Sequence, residues 1–544
     1  MEAQQTLVVL EAAPVPPNHP NSGAQPSFKL IFGQPSGKSA PSATSDTVSN
    51  PKLKAINRHQ LKMKTVDLEN LIERDHVARG IWHLMERVDF SAFYKAIRSQ
   101  KGEKGRSSNS PVMMASVWIY AYSKAISSAR EIERQMEYEP GLMWLCGDTP
   151  VNHHTLSDFR VGHKEALDEL FKNVLAVLDG QGLIDLKLVA HDGTKIQANA
   201  GVDTYRRKNT IQQRLELAQQ VIAEMGDPRE DNVHVRTRKQ AAEQRAARER
   251  VKKLSAALEE MEELSKDLKP ADAVKMRVSI VEPEARKMKH GNAAITPGYN
   301  VQLSTEASNK IIVGMHLSQS SSDAQSLQAA VDVVENNNGR CPDQLVVDGG
   351  YTSKANVVEM EERGIDLIGS LPDLDKKRTA SARAAGIDPS YGVPFFIIQS
   401  ETKTVLCPEG KTLNAQSKSG KRGNLYQIYR AQGSDCERCP SQKKCCPRKP
   451  EQGRSVAIMI KEDAPMANFR EKMESEQAKQ VYKQRGAVAE FPNAWIKEKL
   501  GLRKYRVRGL VKAGIETAWA CLTYNVQQWV RLSWRQVELV GSAR

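Results

Sequence analysis

Residues 344–353 read QLVVDGGYTS. Leu345, Val346 and Val347 form a short, largely β-branched apolar run, as expected of a buried strand, and it halts at Asp348 before the turn-forming pair Gly349–Gly350. A carboxylate ending a buried strand beside glycines suits a metal or phosphate site, and it equally suits a plain strand-to-loop cap. One aspartate does not decide between them, so the rest of the chain must supply its partners or fail to.

A second stretch of the same kind is LKLVAHDGTKIQANA at 186–200, read as a strand reaching Asp192 and followed by Gly193. Strand alternation turns the neighbouring His191 to the opposite face, a structural place for it. Between the two aspartates, GYNVQLSTEA and KIIVGMHLSQ flank Ser308–Asn309 as a hairpin, and DAQSLQAAVDVVENN is an amphipathic helix. After Asp348, SKANVVEMEERG reads as a helix ending at Gly364, and IDLIGSL as a further strand. The order is strand, two strands, helix, strand, helix, strand: an α/β fold with a mixed sheet flanked by helices.

Working outward, residues 1–50 are rich in Pro, Ser, Ala and Gly and read as a disordered tail. Residues 51–182 carry apolar residues at three- and four-residue spacing and read as a helical N-terminal domain. Its uncharged segment Pro111–Ser123 falls short of the roughly 20 residues that span a bilayer and reads as a buried helix. The α/β core begins at 183–375, with a charged helical hairpin inserted at 205–275. That hairpin breaks at GDPRED (226–231), and its apolar seam is Val251, Leu254, Leu258, Met261 and Leu268. A less regular Cys- and Lys-rich insertion fills 376–465, and helical signals return over 466–544.

The formal net charge of +14 predicts attraction to polyanions, nucleic acid or an anionic membrane surface. The N-terminus shows neither the basic region nor the apolar stretch of a signal peptide, so a cytoplasmic, nucleoid-associated location is expected, with cysteines reduced or metal-bound. Five of the eight cysteines fall within one 40-residue block: Cys407, then CERCPSQKKCC at 436–446. The C-x₂-C pair is a good tetrahedral clamp, and Cys407, Cys436, Cys439 and Cys445 are candidate ligands for a structural Zn²⁺; reduced thiols in a lysine-rich insertion are the plain alternative.

A third acid lies in YKQRGAVAEFPNAWIK at 482–497. This segment resembles the Tyr-Arg-Glu-Lys signature of DDE transposases of bacterial insertion sequences, the IS-four/IS-five-like group, at Tyr482, Arg485, Glu490 and Lys497. Four residues separate Arg485 from Glu490, where the best-studied branch has three; the Glu-to-Lys gap of six matches. HTLSDFR, HDGTKI, GYNVQ and RKYRVRGLVKAGIETAWACLTYN also resemble blocks of the group, and their order covers most of the chain after residue 60. The resemblance implies an RNase H-like catalytic domain in which Asp192, Asp348 and Glu490 converge as catalytic residues and ligands of two Mg²⁺ ions, with Mn²⁺ as a substitute. Glu498 and Glu516 compete for the third place, Glu516 as a buried structural acid of an apolar helix.

The same resemblance implies a homodimer that binds the terminal inverted repeats of its element. It implies further that the helical domain at 51–182 serves DNA binding or dimerisation, that water cleaves the strand at the element's end, and that the freed 3′-hydroxyl joins target DNA. Around the acids, Lys497, Arg485 and Tyr482 are candidates to grip phosphates or stack on a base. Lys499, Arg503, Lys504, Arg506 and Arg508, with Tyr505 interleaved, are candidates for a DNA-backbone track. The rival readings are an RNase H-like nuclease without strand transfer and a non-catalytic, domesticated DNA-binding protein.

Overall fold

A computed structural model describes residues 65–97, 107–224, 238–266, 268–291, 294–371, 374–421 and 424–535. The N-terminal tail and the GDPRED break expected from the sequence lie outside these described residues. The architecture is mixed α/β, built on a sheet of β1 (Leu188–Gln197), β2 (Arg286–Lys289), β3 (Ile295–Glu306), β4 (Ile312–Ser318), β5 (Gln344–Val347) and β6 (Asp366–Gly369). Strand β3 pairs antiparallel with β1 on one side and with β2 and β4 on the other; β1, β5 and β6 run parallel. The resulting order β4–β3–β1–β5–β6 is that of an RNase H-like sheet.

The expectation that β1 ends at Asp192 is corrected. The strand runs five residues further, because β3 continues the antiparallel ladder to the pair Gln197–Gly298. Gly193 is therefore no turn. It is a close-approach residue, since a Cβ there would lie 2.6 Å from Gln302 Nε2 and 2.9 Å from the Tyr351 hydroxyl.

Helix α1 (Pro111–Ser123) is buried on nearly all sides, as its uninterrupted apolar sequence demands. It packs, with α2 (Lys164–Gly180), against the C-terminal helix α8 (Leu510–Trp529), and one hydrophobic core joins these helices to the main sheet. Two long charged helices, α3 (Lys208–Glu224) and α4 (Arg238–Ser265), pack through Ile211, Ala218, Leu254, Ala257 and Met261. Leu268, expected at the end of that seam, is exposed because α4 stops at Ser265. Helices α5 (Leu327–Asn338) and α6 (Lys354–Glu362) alternate with β4, β5 and β6, and α7 (Phe491–Glu498) returns the chain to the sheet. Among the described residues no helix is long and apolar enough to cross a membrane.

The Cys-rich insertion is more regular than its sequence indicates. Ile397–Gln399, Thr404–Leu406, Thr412–Lys421, Asn424–Arg430 and Ser455–Lys461 form a five-stranded antiparallel meander. Its strands are largely exposed and carry polar residues in succession, which hides the alternation that marks a half-buried strand.

Glu516, on α8, is only 1 % exposed. Its Oε2 accepts hydrogen bonds from the backbone N–H groups of Arg506 and Val507, and its Oε1 lies 3.9 Å from the buried Arg160. It ties the basic segment before α8 to the core, the structural role its apolar surroundings suggested. Glu516→Ala is expected to destabilise the fold by about 3 kcal/mol, because it strands a buried guanidinium and two amide donors. Glu516→Gln, which keeps an acceptor, is expected to lose less; thermal or urea denaturation of both variants measures the difference.

Candidate active site

The parallel ladder of β1 and β5 places Leu188, Val189 and Ala190 opposite Gln344, Leu345 and Val346. Continuing that register by two residues sets Asp192 beside Asp348, so residues 156 positions apart in sequence become neighbours. Asp192 accepts a hydrogen bond from its adjoining Gly193 N–H, and Asp348 accepts one at 2.7 Å from Gly350 N–H, which holds its carboxylate at the turn. Burial pushes the Asp192 carboxyl up to about 6. The Arg485 guanidinium and the Gly193 N–H oppose this, while Asp348 and a further aspartate, Asp323, add to it.

On the other face of β1, His191 is fully buried between Ser304 Oγ and Gln302 Oε1, each 2.9 Å from a ring nitrogen. Burial drives its imidazole down to about 3, so it stays neutral and structural, as alternation indicated. Tyr351, directly after the Gly–Gly turn, donates its hydroxyl to Gln302 Oε1 at 2.6 Å and stands edge-on to the His191 ring. Gln302 thus links the strand of Asp192 to the turn of Asp348.

Glu490 closes a π-helical turn, Gly486–Glu490, immediately before α7. This turn accounts for the extra residue between Arg485 and Glu490. A π turn stacks residue i on residue i+5 where an α turn stacks i on i+4, so the inserted residue is absorbed and the two side chains meet. Arg485 lies 3.5 Å from Glu490, and Glu490 is otherwise exposed. Val488 and Ala489 pack on Ala190 of β1, on the same face as Asp192. One turn on, Asn493 donates from Nδ2 to Asp192 Oδ2 at 3.2 Å, while its own Oδ1 is buried without a hydrogen bond. Lys497, another turn along, is half-buried; burial and Arg503 lower its ammonium pKa, and Asp192 opposes them.

Asn493 and Lys497 thus face Asp192, whereas Glu490, one turn before Asn493, is exposed, paired with Arg485 and bonded to neither aspartate. The same holds for the two competing acids: Glu498 is exposed and paired with Arg503, and Glu516 is buried in α8, so none of the three is bonded to the aspartate pair. Among the described residues no three His, Cys, Asp or Glu side chains stand close enough to hold a metal ion as they are.

The basic segment lies beside this cluster. Gln197, at the end of β1, donates its N–H to Arg503 O and accepts from Tyr505 N–H, and Asn199 bonds to Arg506 O and Arg508 Nε. Lys499, Arg503, Lys504, Arg506 and Arg508 are exposed. Tyr505 departs from the expected track: it is 1 % exposed, bonded to Thr517 Oγ1 and edge-on to Tyr299, a core residue that anchors the segment. Tyr482, on the short helix Glu476–Lys483, is half-buried.

Cys407, Cys436, Cys439, Cys445 and Cys446 line one void of about 20 Å³ in the insertion, all of them free thiols. Cys407 Sγ accepts a hydrogen bond from Lys411 N–H at 3.3 Å and Cys436 Sγ one from Arg454 N–H at 3.2 Å. Cys445 is buried, which pushes its thiol up to about 11.

Sequence reasoning missed Asp323, Asn493 and the amide Gln302. For Gln302 a signal existed: Asn300, Gln302 and Ser304 repeat at period two in an otherwise apolar strand. Asp323 begins a helical pattern and Asn493 sits inside one, where either residue passes as ordinary.

Comparison with known proteins gives two family matches. Residues 66–162 match the family described as Transposase domain (DUF772), and residues 406–530 match the one described as Transposase DDE domain. Among solved structures, a cryo-EM structure of the piggyBac transposase synaptic complex with hairpin DNA aligns at 7 % identity, covering 84 % of this chain and 73 % of that one. Its TM-score of 0.26 is too low to add to the assignment. No curated protein matches. Both matched families are described as transposase domains, so this chain is similar to transposases over its N-terminal helices and over the stretch that runs from the cysteine block through the Glu490 helix into α8.

Proposed function

We propose that the chain is an insertion-sequence transposase that cuts DNA at its element's ends and joins the freed 3′-ends to target DNA, with Asp192, Asp348 and Glu490 as its catalytic carboxylates. The observation that carries this is the β1–β5 register, which sets Asp192 beside Asp348 while the Glu490 helix bonds to Asp192 through Asn493. The oxygen donors and the unpartnered, buried Asn493 Oδ1 fit a hard cation, Mg²⁺ or Mn²⁺. Bound cations supply charge stabilisation at the attacking and leaving oxygens of an in-line displacement.

Within this reading, Asp192 and Asp348 hold the cation side of the site, and Glu490 completes it by leaving Arg485. A DNA phosphate takes over Arg485, so that substrate binding and carboxylate release are one exchange. Lys497 meets a phosphate beside Asp192, with Tyr482 at the same strand end. The exposed row Lys499, Arg503, Lys504, Arg506 and Arg508 follows the backbone away from the acids. Two copies act together because two element ends must be held at once.

Asp192→Ala, Asp348→Ala and Glu490→Ala are each expected to lower end cleavage by roughly 10³-fold or more, the loss of several kcal/mol of transition-state stabilisation, while end binding persists. Gel shift and cleavage of a labelled end fragment test this, and cleavage surviving in Asp348→Ala ends the assignment. A pre-cut end offered with a plasmid target separates transposase from nuclease: joined product is expected. Alanine at Lys504, Arg506 or Arg508 is expected to weaken binding to all sequences and to reduce the slope of log K against log salt by about 0.9 per residue.

We further propose that Cys407, Cys436, Cys439 and Cys445, which line one void, close around a structural Zn²⁺ when it binds. The lining of the void is sulfur-rich, and two of those sulfurs already accept backbone N–H bonds. Metal analysis of the purified protein is expected to find about one zinc per chain, lost in Cys439→Ser. Zinc retained in that variant removes Cys439 from the set.

A further inference from the structure

Asp323 stands in the loop between β4 and α5, and no part of the transposase signature includes it. Its Oδ1 accepts two hydrogen bonds from fully buried amides, Asn300 Nδ2 at 2.6 Å and Gln302 Nε2 at 3.0 Å. Its Oδ2 accepts none among the described residues. Gln302 is itself fixed by His191 and Tyr351, so the amide that orients Asp323 is fastened to both aspartate strands.

Two glycines clear its approach. A Cβ on Gly193 would lie 2.7 Å from Asp323 Oδ1. A Cβ on Gly350 would lie 2.8 Å from Asp348 Oδ1 and 3.8 Å from Asp323 Cβ. Asp323 therefore reaches the point where the Asp192 strand and the Asp348 turn meet.

Three carboxylates in mutual electrostatic reach are a costly half-buried arrangement, and of the cations that act on Asp192, Arg485 is already engaged by Glu490 and Lys497 is itself half-buried. A second observation points the same way. Asn300, fully buried, and Asn493, 8 % exposed, each bond through Nδ2 to one of these aspartates and leave Oδ1 without a partner. Buried amide oxygens left unpaired beside clustered carboxylates are ligands in want of a cation.

We infer that Asp323 is a fourth carboxylate of the divalent-cation site, oriented by Asn300 and Gln302 and adding its charge to those of Asp192 and Asp348. The inference rests on the proposed reading of that site as cation-binding. It assigns the polar interior of β3 a function: the buried amides hold an acid that the three-carboxylate signature leaves out.

The test is Mn²⁺ binding to the purified, full-length protein without DNA, read as loss of the free-ion electron paramagnetic resonance signal, in wild type, Asp323→Asn, Asp323→Glu and Asp348→Ala. Asp323→Asn keeps an acceptor for both amides, and thermal denaturation in chelator checks that the fold is unchanged. The expected result is a 10- to 100-fold loss of Mn²⁺ affinity in Asp323→Asn, the range found when a group supporting a metal site is removed, with partial recovery in Asp323→Glu. End binding in chelator should be equal in all four.

A purely structural Asp323 leaves the Asn variant's Mn²⁺ affinity at the wild-type value, which overturns the inference while Asp348→Ala still shows the loss. Wild type and Asp348→Ala binding Mn²⁺ alike overturns the reading of the site itself, and this inference with it.

Discussion

Neighbouring strands β1 and β5 run parallel in a register that brings two carboxylates together at the mouth of the sheet, and the surrounding structure answers to that juxtaposition. Burial raises the pKa of Asp192, and the like charges of Asp348 and Asp323 add to it. The fold tolerates this because the backbone is fixed by forces acting elsewhere. The ladder with β3 extends along the whole of β1, and apolar side chains of β1 and β5 enter the main core. The charge cluster is therefore held in place by hydrophobic burial and main-chain hydrogen bonds that do not depend on it, the condition for a site that waits for a ligand.

Polar residues inside the sheet serve the same end. Asn300, Gln302 and Ser304 lie on one face of β3, wholly buried, and would weaken an ordinary core. Here they are joined to His191, Tyr351 and Asp323 in one network, which fixes the turn after Asp348 relative to the strand of Asp192. The π turn before α7 performs a comparable task from the opposite side. By absorbing one residue it brings Arg485 against Glu490 while Val488 and Ala489 stay packed on Ala190, so a carboxylate is kept at the rim, paired and exposed, without disturbing the helix–sheet contact. The basic segment 503–508 is laid beside the acids by bonds to the end of β1 and by the buried Glu516.

The sequence by itself determined the strand–helix order of the core, since β-branched runs, glycine stops and helical spacing are local signals, and it marked Asp192, Asp348 and Glu490 because each stands beside a recognisable turn or signature. Pro111–Ser123 was legible as a buried helix for the same reason: an unbroken apolar face needs no tertiary information. Only the tertiary structure decided that β1 runs on past Gly193, because the ladder with β3 is a contact between residues about a hundred positions apart. It alone turned Tyr505 inward, set regular strands in the cysteine block where each strand buries so few residues that alternation does not show, and converted a one-residue departure from the family spacing into a π turn. It also brought Asp323, Asn300 and Asn493 to the aspartates. A polar residue in a loop or helix carries no local mark of the carboxylate it will meet, since that meeting is fixed by how strands and helices pack across the whole chain.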